Sequence, residues 1–295
     1  MTRMTAKDFD QELLELYDYY AHGRITKREF LDRAGKFAVG GLTAAAILSM
    51  MSPNYALAEQ VSFTDPSINA EYITYPSPNG HGEVRGYLVR PAETAARPGT
   101  VVVVHENRGL NPYIEDVARR VAKAGYIALA PDGLSSVGGY PGNDDKGREL
   151  QRTVDGTRLM NDFFAAVEFL MAHPEGNGKT GIVGFCYGGG VCNAAAVAYP
   201  ELACAVPFYG RQPDAAEASK IKAALLLHYA ELDERITAGW PAWEAALKAA
   251  GVTYEGHVYP GVNHGFHNDS TPRYDEAAAE LAWDRTLEWF GRYLA

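Results

Sequence analysis

One stretch limits what this chain can become more than any other: KTGIVGFCYGGGV at residues 179–191. A short apolar run ends at Gly184, Cys186 follows, and Gly188, Gly189 and Gly190 lead into the Ala- and Val-rich segment VCNAAAVAYP. That order predicts a strand, a very tight turn and a helix. The frame Gly184-x-Cys186-x-Gly188 is the nucleophile-elbow pattern with cysteine where serine is usual. The residues two before and two after the nucleophile must be small, because larger ones would clash with it in the strained turn. With a helix starting at Tyr187, its N–H and the helix dipole favour a thiolate and, later in a reaction, an oxyanion.

The segments around this centre alternate. Residues 101–104, 126–130, 181–183 and 204–208 are apolar without polar interruption, as buried parallel strands are, and 223–228 is an apolar run that ends in His228. Helical spacing separates them, at Val117, Val121 and Ala124, at Leu159, Phe163, Val167 and Leu170, and over residues 240–250 and 274–293. Residues 253–259 read as a further strand. AEYITYP and EVRGYLVRP read as a hairpin around the turn cluster at residues 78–82. The expected fold is therefore α/β, a doubly wound and mostly parallel sheet of about eight strands flanked by helices, with active residues at the strand C-terminal ends. Residues 134–150, rich in Gly and Asp, read as an aperiodic surface loop near that end. The expected division is an N-terminal extension at 1–60 and a catalytic domain at 61–295.

The 295-residue chain carries a formal net charge of −10 and no basic cluster, which argues against nucleic acid as a partner. Its three cysteines, Cys186, Cys192 and Cys204, contain no C-x-x-C pair, so neither a disulfide framework nor a zinc knuckle is indicated. No cofactor and no metal are expected. Residues 1–21 are acidic and aromatic, and Leu13, Leu16, Tyr17 and Tyr20 fit a helical stripe. Residues 26–58 have a basic entry, a modest apolar core and a small-x-small end, the grammar of an export signal; T-K-R-x-F-L resembles a twin-arginine signal with Lys for the first Arg. The alternative is a retained helical arm that packs on its own domain or on a second subunit. The protein would be periplasmic in the first case and cytoplasmic in the second. Lys36 and the weak apolar core argue against a membrane span.

Candidate acids and bases should follow strands. Asp233 follows residues 223–228 by a short loop, and His264 follows residues 253–259 in the same way. The order Cys186, Asp233, His264 is the nucleophile-acid-base order of an α/β-hydrolase. Cys186 would attack a carbonyl carbon, His264 would move the proton, and Asp233 would hold the imidazole. Glu231 and Glu234 are local rivals to Asp233, and His267, His228 and His257 to His264. Gly261 and Gly265 favour His264, because they let a side chain project from a tight loop. After residues 101–104, the loop His105-Glu106-Asn107-Arg108 should supply the second oxyanion N–H, from Asn107 beside that of Tyr187. Glu106, a carboxylate at the end of a buried strand, needs a partner: the thiol of Cys186 or a nearby Arg. Arg108, Tyr140 and Phe266 are candidate pocket residues, with Tyr113, Tyr209 and Trp240 also near the expected mouth.

Together, HENRGLNPYIEDVARRVAKAGYIALAPD, GIVGFCYGGG and the Asp233 and His264 loops resemble the dienelactone hydrolase family of the α/β-hydrolase superfamily, over about residues 70–294. The resemblance implies a cysteine-nucleophile hydrolase of lactones or activated esters, an acyl-enzyme intermediate, no metal or organic cofactor, and a resting-state role for Glu106 beside Cys186. The chain departs from the family's substrate-carboxylate arginines: Asn268 stands four residues after His264, and residues 134–139 contain no Arg. Arg108 and Arg211 are the substitutes at hand. Competing readings are a non-catalytic binding or oligomerisation protein, with homo-oligomers formed through the N-terminal arm, and a thioesterase or peptidase using the same three residues.

Overall fold

The computed structural model describes residues 4–38, 41–94 and 96–295. Eight strands form one sheet: β1 (Ile68–Ser77), β2 (Gly82–Pro91), β3 (Thr100–Val104), β4 (Ile127–Pro131), β5 (Thr180–Phe185), β6 (Cys204–Phe208), β7 (Ala224–Ala230) and β8 (Tyr254–Tyr259). Their order is β1-β2-β4-β3-β5-β6-β7-β8. The β1–β2 hairpin and the β2–β4 pair are antiparallel, and every later pairing is parallel. The uninterrupted apolar runs are the central strands: each residue of β3, β4, β5, β6 and β7 is buried, because helices cover both faces. This is the α/β-hydrolase architecture.

Four helices precede the sheet: α1 (Gln11–Ala21), α2 (Lys27–Ala34), α3 (Ala44–Met51) and the short α4 (Tyr55–Ala58). Within the catalytic region lie α5 (Pro112–Lys123), α6 (Asp144–Gln151), α7 (Gly156–Met171), α8 (Tyr187–Ala198), α9 (Glu234–Thr237), α10 (Trp240–Ala249) and α11 (Glu276–Tyr293). Their starts follow local rules. Asn111 caps α5, with Pro112 at its first position, and Asp155 and Asp275 cap α7 and α11. The expected aperiodic loop at 134–150 is only partly one: residues from Asp144 onward form α6, because Asn143 accepts from the Lys146 N–H and Asp144 and Asp145 sit in the first turn.

The N-terminal segment has a core of its own. Leu13, Leu14, Leu16, Tyr17 and Tyr20 of α1 pack with Phe30 and Ala34 of α2 and with Ile47, Leu48 and Met51 of α3. The stripe expected at residues 13–20 thus becomes a buried face. The twin-arginine-like run lies largely in α2, where Thr26 and Glu29 make a reciprocal capping box. No helix among the described residues is long and apolar enough to cross a membrane.

This arm lies across the C-terminal end of the sheet, on its own chain. Gln11 donates to Asn263 (2.8 Å), Asp18 accepts from Arg273 (3.0 Å) and Tyr20 donates to Asp145. The Asn107 amide donates to the carbonyl of Ala21 (3.0 Å), and Arg152 donates to the carbonyl of Gly23 (2.8 Å). Arg273 and Arg148 lie over the Tyr17 and Tyr20 rings, at 5.2 and 4.5 Å from the centroids. Each large apolar side chain buried in this way contributes roughly 1.5–3 kcal/mol.

Candidate active site

Cys186 sits between β5 and α8 with φ 57° and ψ −110°, the left-handed strain of a nucleophile elbow. The glycines around it are sterically required. A Cβ on Gly184 would meet the Gly188 carbonyl oxygen at 2.4 Å, and a Cβ on Gly188 would meet the Val104 carbonyl oxygen at 2.3 Å. The Cys186 N–H is held by the carbonyl of Phe208 at the end of β6 (3.0 Å), so the strained residue is tied to the next strand.

His264 lies in the loop after β8, and Asp233 lies after β7 as the cap residue of α9. Because β7 and β8 are neighbours in the sheet, these loops meet, and Asp233 Oδ2 accepts from His264 Nδ1 at 2.5 Å. His264 Nε2 is buried without a hydrogen-bond partner and faces the sulfur of Cys186. The rival histidines lie elsewhere. His267 is bonded to Tyr113 and stacked on Phe185, and His228 is bonded to Tyr259 and Thr286. Glu231 accepts from the Gly261 N–H and braces the His264 loop from outside.

The partner at the sulfur comes from the arm. His22, just past the end of α1, places Nε2 3.2 Å from Cys186 Sγ. Its Nδ1 is held by the backbone carbonyl of Asp18 (2.8 Å) and the Asp18 carboxylate (3.1 Å). The His22 ring stands edge-on to that of His264, with centroids 4.7 Å apart. One sulfur is thus flanked by two imidazoles, each backed by an aspartate. Asp18 was not among the expected site residues and neither was His22. The available signal was the Asp18-x-x-x-His22 spacing on a helix with a strong apolar stripe, which puts both on one face.

The charges reinforce one another. Burial would raise the Cys186 pKa, but the positive charges of His264 and His22 bring it well below its usual value. Burial would lower His264, yet Asp233 and Cys186 raise it to about 10. His22 is raised against the effect of burial by Cys186 and Asp18. The Asp18 and Asp233 carboxyls, although desolvated, are held low, chiefly by His22 and His264 respectively. The shifts run in the direction that favours a thiolate beside charged imidazole.

Glu106 is buried at the end of β3, and burial raises its pKa. Its carboxylate accepts from the Asn268 amide (2.9 Å), the residue standing where the family pattern has Arg, while the hydrogen bond at the sulfur comes from His22. The loop carrying Asn107 passes beside the elbow, since the backbone of Val104 and His105 packs on Gly188, and Tyr187 opens α8. Arg108 does not offer a free charge: it pairs with Asp144 (2.8 Å), to which Tyr140 and Tyr55 also donate. Arg108 and Tyr140 share a cleft of about 230 Å³ between the arm and the loop before α6. Phe266 is fully buried in the core against Tyr209 and Tyr259, so it supports the His264 loop from beneath instead of walling a mouth. Tyr113, Tyr209 and Trp240 are likewise buried, with the Tyr209 ring packed 4.8 Å from that of His264. Arg211 lines a separate cleft beside Gln212 and Trp243.

The cleft that reaches the site has a volume of about 660 Å³. Its floor includes Asp233, His264, Arg235 and Arg273, and α1 of the arm forms one wall. Arg235 contacts the ring nitrogen of His264 that faces Asp233 (3.2 Å), and Arg273 bonds Asp18; the sequence reading singled out neither arginine.

Comparison with known proteins gives the family. Residues 84–294 match the model of the dienelactone hydrolase family, and residues 1–38 match a second family, described as YqhI-like. A hydrolase fragment of Escherichia coli (strain K12), provisionally named YghX, is 79% identical over 116 residues, 39% of this chain and 99% of its own length. A provisionally named carboxymethylenebutenolidase of Methylorubrum extorquens is 33% identical, over 73% of this chain and 79% of its own. A crystal structure of a provisionally named dienelactone hydrolase from Klebsiella pneumoniae superposes with a TM-score of 0.67 at 29% identity, covering 77% of this chain and 99% of that one. The elbow cysteine, the strand-end aspartate and histidine and the parallel sheet that brings them together lie in the matched region, and the chain belongs to the dienelactone hydrolase family.

Proposed function

We propose that this protein is a cysteine hydrolase of small esters or lactones, acting through Cys186, His264 and Asp233 and an acyl-enzyme intermediate. The observation that carries this reading is the juxtaposition of a strained elbow thiol with a buried imidazole whose far nitrogen is fixed by a carboxylate. The thiolate adds to the carbonyl carbon, and the oxyanion is received by the N–H groups of Tyr187 and Asn107. The C–O bond to the leaving group breaks as the His264 imidazolium gives that oxygen its proton, leaving a thioester on Cys186. Water, deprotonated by His264, then attacks the thioester; the acid departs and the thiolate is restored. Asp233 keeps the ring in one tautomer throughout. The cleft of about 660 Å³ ends at Asp233 and His264, and substrate would approach Cys186 from it once the arm has moved.

Residues 1–58 belong to this reading as a retained cover. His22 holds the resting sulfur, and the arm moves aside for substrate. The support is the arm's own buried core and its polar contacts to five separate core residues, Asn107, Asp145, Arg152, Asn263 and Arg273. A panel of activated esters and lactones, with mass spectrometry of the trapped protein, tests the chemistry. An acyl adduct on Cys186 that is absent from Cys186→Ala is the expected result; turnover that survives Cys186→Ala overturns it. The intact mass of the mature protein tests retention of the arm.

A further inference from the structure

We propose that His22, Cys186 and His264 form a three-ligand site for one zinc-class divalent cation, bridging the arm to the catalytic core. The inference goes beyond the hydrolase reading and does not depend on it. His22 Nε2, Cys186 Sγ and His264 Nε2 lie within 4.8 Å of one another, near enough to converge on one ion after a small inward movement. With metal–sulfur and metal–nitrogen bonds of about 2.3 and 2.0 Å, a tetrahedral ion needs its ligand atoms roughly 3.3–3.7 Å apart. The His22–Cys186 separation of 3.2 Å is already close to that, so the adjustment falls mainly on the His264 side.

Two further observations point to a ligand. His264 Nε2 is a buried ring nitrogen turned to the Cys186 sulfur, with no oxygen or nitrogen atom to bond. Both rings also have a carboxylate on the other nitrogen, Asp18 on His22 and Asp233 on His264. That arrangement orients histidine ligands in zinc sites: the Nδ1–H is donated outward, and the Nε2 lone pair faces the metal. A single sulfur with two imidazoles selects a borderline-soft ion such as Zn²⁺ or Co²⁺ over Mg²⁺ or Ca²⁺, which prefer oxygen. Cysteine spacing could not reveal the site, because its ligands come from three distant segments.

The ion would occupy the sulfur lone pair that attacks substrate and would fasten the arm in its closed position. The thiol and ring protons that it replaces pass to solvent. The test is titration of the full-length, chelator-treated protein with Co²⁺, followed by Zn²⁺ competition. The expected result is one equivalent of Co²⁺ with an intense thiolate-to-cobalt band and the visible absorption of tetrahedral cobalt. Cys186→Ser removes the thiolate band, Zn²⁺ displaces the cobalt and Mg²⁺ does not. Asp18→Asn and His22→Gln each weaken binding by about tenfold or more. Circular dichroism of the metal-free variants checks their folding; should His22→Gln not fold, His264→Gln makes the same comparison. Octahedral cobalt without a thiolate band, a band that persists in Cys186→Ser, or unchanged affinity in the folded histidine variant overturns the proposal. These are optical readouts, so they stand apart from whether any ester is cleaved.

Discussion

The two imidazole–carboxylate pairs at Cys186 are chemically alike and structurally opposite. Asp233 and His264 stand 31 positions apart and are brought together by the parallel pairing of β7 and β8, deep in the core. Asp18 and His22 are four positions apart, and one helical turn suffices to join them; only the docking of the arm then brings them to the sulfur. The first pair exists wherever the sheet exists. The second depends on the docking of an arm whose core is separate from the sheet's. A fixed pair suits repeated proton transfer, and a removable one suits holding a resting thiolate.

The largest expected effect separates the pairs by activity. His264→Ala should lower kcat/KM for a responsive ester by about 10³-fold or more, as loss of a catalytic base does. His22→Ala should lower it by about tenfold at most. His22→Ala also removes a positive charge from beside the thiolate, so the pKa of Cys186 rises and the pH midpoint of its alkylation moves upward. Equal losses of activity in the two variants would erase the distinction.

The next effect concerns the arm's own core. Phe30 is fully buried there against Tyr17 and Tyr20, and Phe30→Ala should cost about 3 kcal/mol. Because that core is separate from the sheet's, the loss should loosen the arm alone. Alkylation of Cys186 should quicken at least about tenfold while the main thermal transition hardly moves. A single transition that falls together with the arm would mean that arm and core fold as one unit.

Asp18→Asn should cost about 1–3 kcal/mol near neutral pH, since it leaves His22 and Arg273 without their counter-charge. The folded Asp18 carboxyl titrates well below the ordinary carboxylate value. Its stabilisation is therefore complete above pH ~4 and is lost as pH falls through the folded value. Thermal melts of the two proteins should differ most near neutrality and converge in acid; a gap that widened in acid would contradict the assigned ionisation. The smallest effect is expected from Arg152→Ala, which removes the bonds to the carbonyls of His22 and Gly23 on an exposed edge. It should weaken arm docking by about 1 kcal/mol or less, read as a modest rise in Cys186 alkylation.

Legibility in the sequence follows the same division. The sheet could be read because buried parallel strands are uninterrupted apolar runs, and Gly184 because its constraint, the Gly188 carbonyl, lies within the turn itself; the constraint on Gly188 comes from Val104 at the end of β3. The helical part of the expected loop at 134–150 is hidden in the sequence because α6 is polar and rests on the Asn143 cap rather than on an apolar stripe. Phe266 was placed in a mouth because it is near His264 in sequence, but the loop turns it into the core. Arg235 and Arg273 gave no local sign, as their meaning lies in Asp18, Asp233 and His264 across the cleft.

By itself the sequence determined the strand-turn-helix at Cys186 and the apolar stripe of α1, since each depends on spacing within a segment, and it set the chain order Cys186, Asp233, His264. The tertiary structure alone decided that the stripe packs into a core over the end of the sheet, and that this delivers His22 across 164 positions to the sulfur of Cys186. The reason is physical: a buried face states that a helix must be covered, while the surface that covers it is chosen by shape and charge summed over distant residues.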